Sequence, residues 1–542
     1  MARPDWALRV TAPDLRDRYF TEGHWSDDTF PSLVADGLAR NRPLDVRIWS
    51  ASRPARITMA DCERSAHGLA AGLAARGISE GDVVAFQLPN CLEAAVTFYG
   101  CALLGVVLVP IVHFYGPKEV NHILRQSGAR AFISYDRFGS RDYLGDLPRS
   151  LAGADDLELV AMVGDAPAGT VPFADLVAEG ERVVPATPDP DAPVVVGYTS
   201  GTTSDPKGVI HTHRSLCAEL RHMLHLNASG DRPMLVGAPL GHAIGMQGGL
   251  LGPIVRNLPI HVLDVWDPGM ALAAILEVDA SAGSGSTYFL TSLLDHPDCT
   301  PEHHARIQQV GMGGSAVPAA VAARAEALGI RLIRSYGSTE QPSTTGSTFD
   351  DERHQRNDTD GVAMPGCEIR LVDDDGRDVG DGPGEIWSRG PDLFVGYTDP
   401  ALTRVAIDPD GWYATGDIAV RDEHGCITIT DRKKDIIIRG GENISAAEVE
   451  ELLQTMPGVS EVAVVAAPDA RLGEHACAFV RMVPGSPAPD LAAVRAHLGA
   501  AGLARQKFPE EIRVADDLPR TSSGKIQKFV LRDRLRGEAT AP

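Results

Sequence analysis

The sequence lacks the features of several large protein classes. It has 50 Lys and Arg residues against 73 Asp and Glu residues, so the formal net charge is −23 and the average surface repels phosphate backbones and anionic lipid headgroups. Its eight cysteines include no CxxC pair, and its histidine groupings have no Cys or carboxylate companions at ligand spacing. We therefore expect no nucleic-acid partner, no disulfide framework and no metal–histidine centre.

Long apolar runs are also missing. The most lipid-like stretch, FYGCALLGVVLVPIV at residues 98–112, is too short to span a bilayer and contains a proline. It predicts a buried helix end followed by a buried strand. The opening MARPDWALRVTAPDLRDRYF carries charges throughout and no apolar segment of the kind found in secretory signals. We expect no membrane span and a cytoplasmic location.

What is present is the composition of a large globular protein, with 542 residues, 44% hydrophobic and 23% charged. Helical stretches such as MADCERSAHGLAAGLAARG alternate with apolar strands such as DVVAFQL, which predicts a largely parallel sheet covered on both faces. After about residue 360, short strands with Gly, Asp and Pro turns predict a β-rich subdomain. The last hundred or so residues predict a separate α+β unit that ends in a strand and a tail.

The segment YTSGTTSDPKG at residues 198–208 has the composition of a binding loop. It follows the apolar strand PVVVGY and precedes the helical HRSLCAELRHML. Backbone N–H groups, hydroxyls and the Lys207 ammonium in such a loop can all point at phosphate oxygens. The segment does not fit the Walker pattern GxxxxGK[ST]. The alternative is a Ser/Thr-rich surface loop, but the combination of glycines, proline and lysine favours phosphate binding.

This run resembles the phosphate-binding signature [ST]SG[ST]TGxPKG of the adenylate-forming (AMP-binding) superfamily, which includes acyl-CoA synthetases, peptide-synthetase adenylation domains and luciferases. Ser204 stands where the family normally has glycine, so a positive φ at this position would strain the loop. Further segments resemble the family's other motifs and occur in the same order: GMGGSAVP at 311–318, YGSTE at 336–340, GWYATGD at 411–417, DRKKDIIIRGGENIS at 431–445 and PRTSSGKIQKF at 519–529.

The resemblance implies an α/β fold with a large N-terminal domain of layered α/β sheets at residues 1–431, of which about 360–431 form the β-rich subdomain. A small mobile α+β C-terminal domain at residues 432–542 would follow a hinge at Lys434 and act as a catalytic lid. The ordinary reading of the DRKKD segment, a solvated charge run at a domain boundary, agrees with a hinge.

The resemblance also implies a nucleotide site. Tyr336 would stack on adenine, Thr339 would contact the α-phosphate, and Asp417 would accept hydrogen bonds from the ribose. Taken singly, these segments are typical of turns, and the assignment depends on their order. The nucleotide-binding residues implied are Thr199, Ser200, Gly201, Thr202, Thr203, Lys207, Gly314, Ser315, Ala316, Ser335, Tyr336, Gly337, Ser338, Thr339, Asp417, Ile429, Arg432 and Lys525.

Four residues take catalytic roles by the same resemblance, namely Lys525, Thr202, Glu340 and His242. The Lys525 ammonium would bridge the substrate carboxylate and the α-phosphate, which otherwise repel each other. Mg²⁺ would be held by Thr202 and Glu340. His242 would lie between the carboxylate site and a thiol tunnel, although a lone histidine is often only structural.

The resemblance places coenzyme A against a loop of Arg439, Gly440, Gly441 and Glu442. The acyl group would contact His242, Ile244, Met246, Tyr288, Gly313 and Gly337. No Lys or Arg occurs in the segments around this pocket, so an uncharged acyl tail is favoured over an amino acid or a diacid. Enzymes for ortho-hydroxybenzoates tend to carry Asn after this histidine, whereas this chain has Ala243.

The function implied is an ATP-dependent acid–CoA ligase that uses Mg²⁺, activates a carboxylic acid as its acyl-adenylate and transfers it to coenzyme A. The preferred substrate is a medium-chain, branched or alicyclic acid such as cyclohexanecarboxylate. A stand-alone adenylation enzyme for an aryl acid or for a separate carrier protein is one alternative, and a non-catalytic nucleotide-binding regulator is another. The chain ends soon after PRTSSGK, so we expect no fused carrier domain. The oligomeric state stays open, with a homodimer among the alternatives.

Overall fold

The computed structural model describes residues 6–177, 182–199, 205–226, 232–283, 285, 287–314, 317–439, 442–469, 471–521 and 524–539. These residues form sheets layered with helices, an antiparallel β-subdomain and a smaller α+β unit near the carboxyl end. This arrangement confirms the predicted fold class. No helix of the described chain is both long and apolar enough to cross a membrane.

The central sheet has eight strands. In sheet order they are Gly396–Tyr397, Lys207–Thr212, Pro193–Thr199, Val107–Ile111, Val83–Gln87, Ala131–Tyr135, Leu159–Val163 and Val171–Pro172. From Pro193–Thr199 to the last of these the strands pair in parallel, whereas the first two pair antiparallel with their neighbours. Val83–Gln87 and Val107–Ile111 are buried at every position, as expected for strands covered on both faces.

The predicted helix end and strand at residues 98–112 are confirmed. Helix Leu92–Leu104 ends at Gly105, whose left-handed φ of 73° suits glycine, and strand Val107–Ile111 follows. The preceding helix, Met59–Ala74, begins at a capping box in which Thr58 and Asp61 exchange side-chain and backbone hydrogen bonds. These local signals explain why the alternation of elements is readable in the sequence.

Two further sheets lie in the large N-terminal part. The five-stranded sheet has the order Ser281–Ala282, Met234–Val236, Ile260–Leu263, Asp45–Trp49 and Ala55–Thr58. The four-stranded sheet has the order Gln309–Met312, Arg331–Tyr336, Thr345–Gly346 and Val362–Ala363. A short hairpin pairs Arg137–Phe138 with Arg141–Asp142.

Helices cover these sheets. Those outside the α+β unit are Pro13–Thr21, Phe30–Arg40, Met59–Ala74, Leu92–Leu104, Pro117–Ser127, Tyr143–Ser150, Phe173–Val177, His213–Leu226, Ala243–Met246, Gly252–Arg256, Pro268–Val278, Thr287–Leu294, Pro301–Ile307, Ala319–Ala327, Arg353–Asn357 and Pro400–Ala406. A π-helical turn, Gln247–Leu251, joins Ala243–Met246 to Gly252–Arg256. Such turns are rare and occur often at functional sites.

The β-subdomain is an antiparallel sheet in the order Glu368–Val372, Gly384–Arg389, Tyr413–Arg421 and Ile427–Arg432. It occupies the region predicted to be β-rich. Gly376 and Gly425, in the turns that join two of its strand pairs, have φ of 79° and 79°, which only glycine adopts without strain.

The α+β unit has a five-stranded sheet made of Glu442–Ile444, Ile437–Arg439, Gly473–Met482, Val459–Asp469 and Glu511–Val514. Its helices are Ala446–Gln454, Leu491–Ala500, the 3₁₀ turn Arg505–Lys507 and Lys528–Ala539. The predicted strand near the end is present, but the predicted tail is wrong. Residues 528–539 form a helix that buries Leu531 and Leu535 against strand Val459–Asp469. The domain boundary at 431/432 stays a prediction.

Candidate active site

The glycine- and hydroxyl-rich segment joins two antiparallel strands. Thr199 ends strand Pro193–Thr199 and lies opposite Lys207, the first residue of strand Lys207–Thr212. Strand Lys207–Thr212 lies between the loop and helix His213–Leu226, and the sequence did not predict it as a separate strand. Four of the residues predicted here lie outside the described residues, namely Ser200, Gly201, Thr202 and Thr203, and so does Ser204, the departure from the family pattern.

Lys207, Thr339 and Glu340 converge on this strand pair. The Tyr397 hydroxyl donates a hydrogen bond to Glu340 Oε1 over 2.7 Å, and Lys207 Nζ lies 5.9 Å from the centre of the Tyr397 ring. His211 donates from Nε2 to the Thr339 carbonyl oxygen over 2.7 Å. Burial and the Glu340 charge raise the pKa of Tyr397, so its hydroxyl stays protonated and remains a donor. Tyr397 and His211 are positioning residues that the sequence reading missed.

Asp417 is the centre of a second cluster. It is buried, with 3% of its surface exposed, yet both carboxylate oxygens have partners. Tyr336 donates from its hydroxyl to Oδ2 over 2.6 Å, and Arg432 Nε lies 2.8 Å from Oδ1. Asp417 and Arg432 face each other directly across paired strands of the β-subdomain. Burial and the Asp417 charge raise the pKa of Tyr336, which keeps this phenol a donor.

The remaining nucleotide-side residues surround Tyr336. Ile429 packs in the same small apolar cluster as Tyr336 and donates its backbone N–H to Asp360 over 2.9 Å. Ser338 Oγ accepts from the backbone N–H of Glu340 and so shapes the turn after Gly337. A Cβ added at Gly313 would lie 3.1 Å from Ser335 Oγ, so these two backbones approach closely. Gly314 follows with φ of 76°, whereas Ser315 and Ala316 lie outside the described residues.

Lys525 of the α+β unit faces this cluster. Burial lowers the pKa of its ammonium to about 8, the charges of Arg432 and Lys434 act in the same direction, and Asp417 and Asp435 oppose them. The backbone around Lys525 is fixed, since Thr521 N donates to Lys525 O over 2.8 Å and Lys525 N donates to Thr521 Oγ1 over 3.1 Å. A lysine from the end of the chain therefore lies among the charges of the proposed nucleotide site.

His242 connects Lys525 to the acyl side. It precedes helix Ala243–Met246, and its Nδ1 accepts from the Ile244 N–H over 3.4 Å. Burial, assisted by the positive charge of Lys525, lowers the pKa of His242 to about 4. The imidazole is therefore neutral near pH 7, which suits a residue that lines a pocket and not one that holds a charge there.

A cavity of about 40 Å³ lies behind His242. Its apolar wall includes Pro110, Val195, Leu216, Ala243, Met246 and Pro342, and its polar wall includes Tyr198, His211, Glu219, His242, Gln247 and Thr339. Of the predicted acyl-binding residues, His242 and Met246 line it. Thr339 lines it as well, so the cavity reaches the residue assigned to the α-phosphate.

The other predicted acyl-binding residues lie elsewhere. Ile244 faces Gly314, since a Cβ added to that glycine would lie 3.2 Å from Ile244 Cδ1. Tyr288 is 36% exposed and carries the Arg520 guanidinium 5.5 Å from its ring centre, a contact between the large part and the α+β unit. Gly337 is pressed against Pro342, because an added Cβ would lie 1.9 Å from the Pro342 carbonyl oxygen.

Glu219 in the cavity wall was not predicted. The residue is 1% exposed, and its Oε1 accepts from Ser343 Oγ over 2.9 Å and from Gln247 Nε2 over 3.1 Å. Burial and the Asp392 charge raise its pKa to about 8. The sequence held a signal, since Leu216, Glu219, Leu220 and Met223 fall on one helical stripe and a carboxylate among apolar residues is unusual.

The predicted hinge lies in a turn between strands Ile427–Arg432 and Ile437–Arg439. Lys433 Nζ is 2.9 Å from Asp374 and 3.2 Å from Glu385 of the β-subdomain, whereas Asp435 pairs with Arg532 of the last helix. Lys434 lies between these two tethers, and burial lowers its pKa. The turn is thus attached to both bodies that a hinge would join.

The predicted coenzyme A residues lie at the tip of the next hairpin, where Arg439 faces Glu442. Arg439 pairs with Glu510 of the same α+β unit over 2.6 Å. Gly440, Gly441 and the side chain of Glu442 lie outside the described residues. The contacts of Arg439 therefore belong to its own unit, whereas Lys525 of that unit faces Asp417.

Comparisons with known proteins identify the family of this chain. The family model of the AMP-binding enzyme matches residues 38–398, and that of the AMP-binding enzyme C-terminal domain matches residues 448–525. The chain is 35% identical over 533 residues to the medium-chain fatty-acid–CoA ligase of Escherichia coli (strain K12), which covers 97% of this chain and 94% of the relative.

A CoA ligase of Rhodococcus jostii (strain RHA1), named for a methyl-dioxo-octahydroindenyl propanoyl group, is 32% identical over 505 residues, or 89% of this chain and 94% of that one. ATP-bound MatB from Rhodopseudomonas palustris superposes with a TM-score of 0.81 at 28% identity and covers 92% of this chain and 98% of that chain. The chain therefore belongs to the AMP-binding enzyme family, in the acyl-CoA synthetase branch of AMP-forming acid–thiol ligases.

Proposed function

We propose that the protein activates a carboxylic acid with ATP and transfers the acyl group to coenzyme A. The substrate carboxylate attacks the α-phosphate, pyrophosphate leaves, and the acyl-adenylate then reacts with the thiol to give the thioester and AMP. The observation that carries this proposal is the position of Lys525, whose charge acts on Asp417, Arg432 and His242 together. An ammonium at this place lies between the nucleotide cluster and the cavity.

The charges explain how the first step is accelerated. A carboxylate and a phosphate repel each other, and a fixed ammonium between them lowers the cost of their approach. Asp417 and Arg432 would hold the ribose, and Tyr336 the adenine, while Lys207 and Thr339 face the phosphates. The protein's contribution is thus positioning and charge neutralisation, since phosphoryl chemistry leaves little covalent work to side chains.

Glu340 is suited to a Mg²⁺ ion that accompanies the triphosphate. Its Oε1 is fixed by the Tyr397 hydroxyl, and a carboxylate oxygen beside phosphate-binding residues is the ligand type that Mg²⁺ prefers. Glu340, with Thr202 as the second proposed ligand, would hold the ion. When bound, the ion would neutralise charge on the leaving pyrophosphate.

The second step requires a different arrangement of the α+β unit. We propose that this unit rotates about Lys434, withdraws Lys525 and brings the Arg439–Glu442 hairpin to the cavity. The two tethers beside Lys434, one to the β-subdomain and one to the last helix, agree with a hinge at this turn. Coenzyme A is the proposed acceptor, and a homodimer and a cytoplasmic location remain predictions.

For the acid, we propose a medium-chain, branched or alicyclic carboxylate. The cavity wall near His242 is largely apolar, and the relatives from Escherichia coli and Rhodococcus jostii are named for a medium-chain fatty acid and a ring-bearing propanoyl group. An aryl acid, or loading of a separate carrier protein, is the second candidate. Ala243 in the wall leaves no side-chain amide there for an ortho-hydroxyl group.

The proposal is tested by incubating the protein with ATP, Mg²⁺ and a panel of carboxylic acids, with and without coenzyme A. We expect pyrophosphate with the preferred acids and AMP release that accelerates when coenzyme A is added. AMP release that ignores coenzyme A would favour the carrier-loading alternative. The absence of pyrophosphate with every acid, despite ATP binding, would contradict catalysis and favour a nucleotide-binding regulator.

A further inference from the structure

The cavity wall contains one carboxyl oxygen without a partner. Glu219 Oε1 already accepts from Ser343 and Gln247. Glu219 Oε2 is fully buried and has no hydrogen-bond partner among the residues that the structure describes. The raised pKa of Glu219 favours the protonated acid near pH 7, and Oε1 already accepts twice, so the unfilled hydrogen-bonding capacity, both as acceptor and as O–H donor, lies on Oε2.

Most of the groups behind Glu219 are occupied with one another, although His222 Nδ1 has no hydrogen-bond partner among the described residues. Asp392, which is 0% exposed, accepts from Gln341 Nε2 over 3.0 Å and from the Cys367 thiol over 3.4 Å. His222 Nε2 donates to the Pro365 carbonyl over 2.9 Å, and its Nδ1 lies 3.8 Å from Asp392. Burial lowers the pKa of His222, but the Asp392 and Glu219 charges outweigh burial and raise it to about 9.

This network therefore contains two acids and one imidazolium. Burial tends to raise the pKa of Asp392, but His222 outweighs it and keeps that carboxylate ionised. The positive charge of His222 acts on both Asp392 and Glu219. No group behind the wall, however, forms a hydrogen bond to Oε2 among the described residues.

The cavity side supplies no partner either, within the described chain. The wall contains donors, but neither the Tyr198 hydroxyl nor the His242 imidazole hydrogen-bonds to Oε2, and His211 Nε2 is engaged with the Thr339 carbonyl. No Lys or Arg lines the cavity among the described residues. A buried carboxyl oxygen of this kind is stabilised when a hydrogen-bonding group enters the cavity.

We propose, on the basis of the function proposed above, that the acid bound here carries a hydroxyl group that hydrogen-bonds with Glu219 Oε2. This group lies away from the reacting carboxylate. Gln247, which holds Glu219, follows His242 by five residues along a helical segment, a rise of about 7 Å. The substrate class is therefore a compact carboxylic acid with a hydroxyl group beyond its ring or chain.

The inference predicts discrimination between acids of equal size. A site built to hydrogen-bond a substrate hydroxyl rejects an analogue that lacks it, because the buried carboxyl group is left unpaired. We expect kcat/KM for pyrophosphate release to be about tenfold to a hundredfold higher for the hydroxyl-bearing member of each pair. Suitable pairs are cyclohexanecarboxylate with 4-hydroxycyclohexanecarboxylate, and hexanoate with 6-hydroxyhexanoate.

The variant Glu219→Leu removes the carboxyl group and should reverse the preference, so that the unsubstituted acids become the better substrates. Glu219→Gln keeps the shape of the side chain together with a donor and an acceptor, and should keep most of the preference for the hydroxy acids. Leu224→Gln, on the exposed face of the same helix, is the matched control and should leave every ratio unchanged. Thermal unfolding of the three variants shows whether each is folded.

Equal kcat/KM values within the pairs for the unchanged protein would overturn the inference while leaving the acid–CoA ligase activity in place. A preference that survives unchanged in folded Glu219→Leu would also overturn it. If no acid yields pyrophosphate, the proposed function fails, and Glu219 is tested by binding alone. The hydroxy acid should then raise the unfolding temperature of the unchanged protein more than the plain acid does, and this difference should vanish in Glu219→Leu. An equal effect of both acids would contradict the role of Glu219.

Discussion

The nucleotide side and the acyl cavity differ in how their buried carboxyl groups are partnered. Around Asp417, both carboxylate oxygens are engaged, one by Tyr336 and one by Arg432, and Lys525 faces the cluster. In the acyl cavity, Glu219 has one oxygen engaged and the other buried without a partner in the described chain. The nucleotide is the same in every reaction, so the nucleotide site can supply the partners of its own buried carboxylate. In our proposal, the partner of Glu219 Oε2 is supplied by the acid that is bound.

We expect the largest effect from Lys525→Ala, which tests the nucleotide side of this comparison. Loss of the ammonium should slow pyrophosphate release at least about a thousandfold, because the two anions then meet without a charge between them. Thioester formation from supplied acyl-adenylate should barely change. Lys507→Ala, which removes a lysine paired with Glu448 elsewhere in the same unit, is the control. Equal loss of both steps would show that Lys525 is not specific to adenylation.

Asp417→Asn should have the next largest effect. The amide keeps the shape of the side chain but loses the charge that Arg432 pairs with. Hydrogen bonds to charged groups contribute about 1.5–3 kcal/mol, so the KM for ATP should rise about tenfold to a hundredfold. The KM for the acid serves as the internal control and should move little. A larger rise in the KM for the acid than in the KM for ATP would contradict the assignment of Asp417 to the nucleotide side.

Tyr397→Phe should have the smallest effect of the three substitutions. It removes the hydrogen bond that fixes Glu340 Oε1 while leaving the carboxylate itself in place. We expect kcat/KM to fall about threefold to tenfold, together with a higher Mg²⁺ concentration for half-maximal rate. Tyr143→Phe is the control, because it removes a tyrosine hydroxyl that donates to the His113 carbonyl and not to Glu340. An unchanged Mg²⁺ requirement would separate Tyr397 from the proposed ion site.

Much of the fold and of the nucleotide side could be predicted from the sequence, because the signals there are local. Apolar strands that are buried on both faces, such as Val83–Gln87, are continuous in the sequence, and helix Met59–Ala74 has its capping box in adjacent residues. The motifs around Tyr336, Asp417 and Arg432 likewise hold their residues in short segments. The structure was needed only to show which of these three residues pair with one another.

The elements that were missed depend on contacts between distant parts of the chain. Strand Lys207–Thr212 is defined by pairing with Pro193–Thr199 and Gly396–Tyr397, and the last helix by packing of Leu531 and Leu535 on a strand far earlier in the chain. Glu219 is similar, since Ser343, its hydrogen-bond partner, lies 124 residues away. The apolar stripe around Glu219 shows that it is unusual but cannot show which cavity it faces.

The most direct test of the account is the pH dependence of the two half-reactions. An ammonium with a pKa of about 8 is charged below that pH and neutral above it, so kcat/KM for pyrophosphate release should fall above pH 8 by about tenfold per pH unit. Because the pKa of Glu219 is also about 8, the same fall must appear in Glu219→Gln. Thioester formation from supplied acyl-adenylate should show no such fall. A rate of pyrophosphate release that stays level above pH 8, or a parallel fall in both half-reactions, would contradict the central role of the Lys525 charge.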